Sequence, residues 1–148
     1  MKIRTAIAAA TGAAVLGTGA LALPAAMASQ ATTTHKLSFI SLQKNSTMFT
    51  KMTGGQQNTD VTKAGKIVGF DMLYFAATSH TSAILNLTVD TKGGFLYGTA
   101  AFNFNTGVIS HGKITGGTGA FKHATGTVKA KNLNSAGTRT AVTITYRT

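Results

Sequence analysis

From His35 to the end of the chain, apolar and polar side chains alternate with a period near two rather than the 3.6-residue period of a helix. The last two segments show it most cleanly. Val142, Ile144 and Tyr146 alternate with Arg139, Thr143 and Arg147, and Val128 and Ala130 alternate with Thr127, Lys129 and Lys131. One face of each is therefore apolar and the other basic. The pattern predicts strands over 36–43, 66–77, 82–90, 94–104, 107–114, 120–131 and 138–147. Residues 66–77, KIVGFDMLYFAA, are apolar on both faces, as expected where one side lines a core and the other packs against something else. Turn residues separate the strands: Gly54-Gly55, Gly93-Gly94, Asn105-Thr106-Gly107, Gly116-Gly117 and Asn132 to Gly137. Capping boxes, glutamates and leucine-rich faces, the marks of helices, are missing.

Seven or eight antiparallel strands joined by short turns form a sandwich or a closed barrel, and closure removes the exposed edges that invite aggregation. Residues 44–64 fit this pattern least. They are polar, contain MTGGQQ and are expected to form a long loop or a flap.

The first segment has a different character. Lys2 and Arg4 precede an Ala/Gly/Leu-rich run over 5–23, Pro24 ends it, and Ala26-Met27-Ala28 supplies the small-x-small pattern of a cleavage site. This predicts a signal peptide over 1–28, a secreted product starting near Ser29, a flexible leader over 29–34, and one domain over 35–148. The domain is large enough for a single core. With no cysteine it holds by packing alone. The fourteen Lys and Arg, less Lys2 and Arg4, leave twelve cations against three aspartates, a net +9. That balance suggests contact with something anionic, an anionic wall or extracellular polymer, a membrane surface or nucleic acid; the competing reading is a basic surface with no specific partner. Lys129, Lys131 and Arg139 would share a hairpin face, but no exposed aromatics interleave with them as a nucleic-acid platform requires, so no specific nucleic-acid partner is expected.

The most patterned stretch is ITGGTGAFKHATGTV, residues 114–128. A dinucleotide fingerprint would need a third glycine where Lys122 stands, followed by a helix. Gly107 to Lys113 has P-loop spacing, but Ile114 replaces the hydroxyl that would bind Mg²⁺, and the segment is strand-like. No cofactor fingerprint survives. The glycines are better read as a corner at which Gly116, Gly117 and Gly119 allow tight backbone approach. Phe121 then plugs the core, and Gly126 avoids crowding a neighbouring strand.

Gly116-Gly117-Thr118-Gly119-Ala120-Phe121-Lys122-His123-Ala124-Thr125-Gly126 resembles the glycine signature of the allene oxide cyclase and dirigent barrels. Val68-Gly69 and Tyr74-Phe75-Ala76-Ala77 are similar to the second strand of dirigent proteins, and the resemblance spans about residues 66–146. It implies a closed, antiparallel, eight-stranded β-barrel, often a homotrimer, whose apolar interior binds a small hydrophobic molecule and guides a cyclisation or a coupling. The family's cyclases rely on a glutamate in the first strand, and this chain has none. Dirigent proteins use cavity aspartates. Here Asp60 falls in the polar segment and Asp90 beside a turn, leaving Asp71 within an apolar strand.

Asp71 is accordingly the leading catalytic candidate, as an acid or base in a cavity; the competing reading pairs it with a lysine on the outer face. His111 is the second, either lining the cavity or exposed beside Lys113. Tyr74, Asn86, Tyr97, Asn103 and Tyr146 are candidate ligand-binding residues, the few polar groups that would orient an apolar ligand. The four histidines are scattered without HxH or HxxxH spacing, so no metal site is expected.

Overall fold

The computed structural model describes residues 33–148. The expected signal peptide and residues 29–32 of the leader lie outside the described residues. Eight strands follow in order: β1 (Thr34–Met48), β2 (Thr53–Val61), β3 (Ile67–Ala77), β4 (Ser82–Thr91), β5 (Gly94–Asn103), β6 (Val108–Gly117), β7 (Thr125–Asn132) and β8 (Arg139–Arg147). Every neighbour in sequence is an antiparallel neighbour in space, and β8 returns to β1, closing the barrel. β1 does this with two overlapping halves. Thr34–Leu42 pairs with β8 and Ile40–Met48 with β2, a stagger that a closed barrel of tilted strands requires.

The expected loop over 44–64 is instead two strand ends and a hairpin. Its side chains are polar because this end of the wall faces solvent outside and a polar cluster inside. The apolar–polar contrast that marks the other strands therefore vanishes here, although the backbone pairs from Ile40↔Val61 to Met48↔Gly54 with one bulge at Lys44. The turn is held by Thr50, whose Oγ1 accepts from the backbone N–H of Met52 at 3.1 Å and Thr53 at 3.0 Å.

Alternate residues fill the interior. Leu87, Val89, Leu96, Ile114, Ala124, Val128 and Ile144 pack into one end with Phe39, Phe121 and Tyr146. Phe121 is buried and meets Tyr146 edge-on, ring centroids 5.4 Å apart. The glycine stretch is the corner that closes this end. A 3₁₀ turn, Gly119–Phe121, replaces the expected start of a strand at 120. Gly119 takes φ 57°, a Cβ on Gly117 would collide with Phe121, and one on Gly126 would collide with the Thr145 carbonyl; Gly116 faces open space. The amides of Thr118, Ala120, Phe121, Lys122 and Ala124 all donate to backbone carbonyls within the corner and its neighbours. They are thus spent on the chain itself and do not cradle an anion.

Candidate functional site

The opposite end is lined by smaller or more widely spaced groups. Ala83, Leu85, Ala100 and Ile109 form the wall there, with Phe75, Phe102 and Ala130 against them. They leave a cavity of about 280 Å³, opening between the turn at Ser135–Gly137 and the β5–β6 connection at Phe104 and Gly107. Gln56, Leu73, Ile109, Ala130 and Thr140 line both this cavity and a deeper chamber of about 60 Å³, so the two adjoin. Ser41, Asn58 and Asp71 form the polar part of the chamber wall, opposite Leu87, Val89 and Val128.

Three neighbouring strands build that polar patch. On β2 the alternation Gln56, Asn58, Asp60 turns every second side chain inward. Asn58 stands opposite Asp71 of β3, and Asp60 stands between Ser41 of β1 and Gly69 of β3. Asp71 accepts a hydrogen bond from Ser41 Oγ at 2.6 Å on one oxygen and from Asn58 Nδ2 at 2.5 Å on the other. Asn58 in turn accepts from Gln56 Nε2 at 2.8 Å, so a relay of amides runs from the mouth to the carboxyl. Asp71 is buried; the outer-face lysine pair does not occur, because β3 places Phe70 and Met72 outside and Asp71 between Gly69 and Leu73 inside.

Asp60 corrects a second expectation. It is not in a loop but is 1% exposed on β2, deeper in the wall than Asp71. Among the described residues neither of its oxygens has a protein N–H or hydroxyl as partner. A buried carboxyl with no such donor keeps its proton. Burial first, then a hydrogen bond to Asp71 and the repulsion of that neighbouring carboxyl, pushes Asp60 up to about 9 from an ordinary 3.8. The neutral acid supplies the donor that the site lacks, and Asp71 is its acceptor. The two aspartates thus form a dyad of neighbouring buried carboxyls, with Asp71 in front on the chamber and Asp60, which keeps its proton, behind it.

The other sequence candidates fall elsewhere. His111 lies on the outer face of β6 beside an irregularity in the pairing, where both Ser110 and His111 are exposed. Tyr74 and Asn86 are opposite each other on the outside of β3 and β4, and Tyr97 is on the outside of β5, its ring stacked on Phe95. Asn103 ends β5; its Oδ1 accepts from the amides of Asn105 and Thr106 and so shapes the turn. Tyr146 points inward but at the packed end, between Phe121 and His35. Of the seven, Asp71 alone faces the chamber. Ser41, Asn58 and Asp60 were missed, although Gln56-x-Asn58-x-Asp60 carries the period-two signal that would have found two of them.

No protein-family model and no curated protein sequence matches the chain. Solved structures do. A pterocarpan synthase dirigent protein superimposes with TM-score 0.56 at 16% identity, over 78% of this chain and 83% of that one. The barrel is dirigent-like. Pyocyanin demethylase shares the dirigent-like barrel with TM-score 0.62 at 14% identity, over 76% of this chain and 99% of its own. An exo-specific intermolecular Diels-Alderase does so with TM-score 0.62 at 8% identity, over 78% and 99%.

Proposed function

We propose that this dirigent-like barrel is exported and takes a small, largely apolar molecule into its interior, where Asp71 exchanges a proton with it. The dyad carries the reading. A buried carboxyl on an apolar chamber, backed by a second carboxyl in the wall, is costly for stability, and such groups cluster at functional sites. A cavity of about 280 Å³ is at the lower end of the usual range for ligand pockets. Asp71 reaches the ligand and acts as the base; Asp60 lies behind it, and its proton settles where the charge on Asp71 sits. The relay through Asn58 and the hydroxyl of Ser41 fixes the orientation of the Asp71 carboxyl. The names of the similar structures support a small organic substrate, since they describe a demethylase, a Diels-Alderase and a pterocarpan synthase.

The test is titration of the chain from Ser29 with a neutral apolar dye, N-phenyl-1-naphthylamine, followed by fluorescence. Saturable binding of one dye per barrel is expected, unchanged by salt because buried apolar contact is not screened. Ala130→Trp, which fills the space where cavity and chamber adjoin, is expected to weaken it about tenfold or more. Absence of saturable binding, or binding indifferent to Ala130→Trp, would refute an interior site.

A second reading rests on a separate observation. Lys113, Lys129, Lys131 and Arg139 are exposed on adjoining strands β6, β7 and β8, a basic patch suited to an anionic polymer. Retention on polygalacturonate that disappears at high salt, and on replacing Lys129, Lys131 and Arg139 with Gln, would favour it.

A further inference from the structure

The outer wall carries a groove of its own, of about 640 Å³, crossing β1 to β4. We propose that it binds a neutral glycan chain, independently of the interior site. The aromatic part is a strip: Phe49 and Tyr74 are 61% and 43% exposed, and their rings lie 15° from parallel with centroids 6.3 Å apart. Around it stand the amides of Asn45, Gln57 and Asn86 and the hydroxyls of Thr47 and Thr88. A sugar ring has an apolar face of C–H groups and a rim of hydroxyls. Flat exposed rings accept the face, and amides, which both donate and accept, accept the rim.

Charge narrows the partner. The chain has fourteen Lys and Arg, yet no lysine, arginine, histidine or carboxyl lines this groove. The outward positions of β2 to β5 carry one formal charge among the described residues, that of Asp90; seven of the twelve described cations stand on β1 and β6 to β8, and the other five in turns, Lys51 among them in the β1–β2 turn. An anionic polymer meets denser charge on β6 to β8, where Lys113, Lys129, Lys131 and Arg139 stand together, than at the groove, which only Lys44 and Lys51 flank. Met72 also lines the groove, and Phe70 is exposed nearby on β3, but a second copy of this chain would have to cover the amides as well. An apolar protein face laid over Asn45, Gln57 and Asn86 would strip water from three amides without replacing its hydrogen bonds. A hydroxylated chain replaces them.

The strip is preformed. Phe49 begins the β1–β2 turn, its N–H donating to the Thr53 carbonyl at 2.9 Å, and the Thr50 hydroxyl holds the far side. Gly55 leaves the floor flat: a Cβ there would stand 3.1 Å from the Phe49 ring. Asn45 Nδ2 donates to Gln57 Oε1 at 3.2 Å, which orients both amides toward the groove edge. Tyr74 projects outward while its neighbours Leu73 and Phe75 line the interior cavity, so the aromatic strip lies on the opposite face of the wall from the cavity, with Gln56 and Leu73 bordering both.

The experiment is calorimetric titration of the chain from Ser29 with cello-, xylo- and mannohexaose, with polygalacturonate as the charged control. At least one neutral hexaose is expected to bind, with affinity unchanged by salt. Tyr74→Ala and Phe49→Ala are each expected to weaken it about tenfold, and Gly55→Ala to weaken it by lifting the Phe49 ring without lowering the melting temperature. N-phenyl-1-naphthylamine binding, which reports the interior, is expected to persist in all three variants. The proposal is overturned if no neutral hexaose binds, if only polygalacturonate binds, or if the aromatic variants leave affinity unchanged. It is equally overturned if light scattering shows an oligomer that Tyr74→Ala dissociates, for the groove is then an interface between copies.

Discussion

Replacing Asp60 with asparagine should remove most of the pH dependence of this fold's stability. The folded chain holds the Asp60 proton up to about 9, whereas the unfolded chain releases it near 3.8. Each pKa unit is worth about 1.4 kcal/mol, so the interval sets a ceiling of about 7 kcal/mol. The neighbouring Asp71 carboxyl shares in this titration, so the interval belongs to the pair, and half that figure, about 3.5 kcal/mol, is the working value. The direction follows from proton binding. Below pH 3.8 both states carry the proton and the contribution is whole. As pH rises further the unfolded state binds fewer protons than the folded one, and stability falls until the folded carboxyl also ionises near 9. Asparagine has the same shape, stays neutral and can donate its Nδ2 to Asp71. Urea unfolding at a series of pH values from 5 to 8.5 should therefore give a declining free energy for the native chain and a nearly flat one for Asp60→Asn. The two should differ in their change over that range by about 2 kcal/mol. The four histidines are exposed and contribute equally to both curves. Parallel curves, or a native stability that rises with pH, would refute a protonated Asp60.

Phe121→Ala should cost about 3–5 kcal/mol, since it empties the closed end of a ring packed against Tyr146; an unchanged denaturation midpoint would contradict it. The corner glycines should separate sharply: Gly126→Ala should lower stability by about 2 kcal/mol or more through collision with the Thr145 carbonyl, while Gly116→Ala, facing open space, should stay within about 0.5 kcal/mol, both read from thermal melts.

The barrel was legible wherever strands separate an apolar face from a polar or charged one, as β7 and β8 do with Val128, Ala130, Val142 and Ile144 against Lys129, Lys131 and Arg147. It was illegible over 44–64 because β2 is polar on both faces: Gln57 meets water while Gln56, Asn58 and Asp60 meet the interior polar cluster. The same fact hid half of the site, since a segment taken for a loop cannot place an aspartate beside another one. Asp71 was visible as a carboxyl in an apolar strand, but its direction depends on which face of that strand is inside. With apolar residues on both faces, period alone does not decide it, and the same ambiguity carried Tyr74 into the list of interior candidates. Asn86 and Tyr97 went with it, although their strands alternate clearly, because Leu85, Leu87 and Leu96 claim the inside.

The stagger of β1 has a kinetic consequence. Thr34–Leu42 has its partner in β8, about a hundred positions later, and until Arg139–Arg147 arrives the first strand has only its distal half paired. The seam must close across nearly the whole chain, the kind of long-range pairing that slows folding most. A chain emerging from a ribosome or a translocation channel therefore stays an open, curling sheet until its final strand is free, and the interior comes into being last and all at once. Loss of a few residues from β8 would strip partners from β1 and β7 together and leave two raw edges where the intact molecule has none.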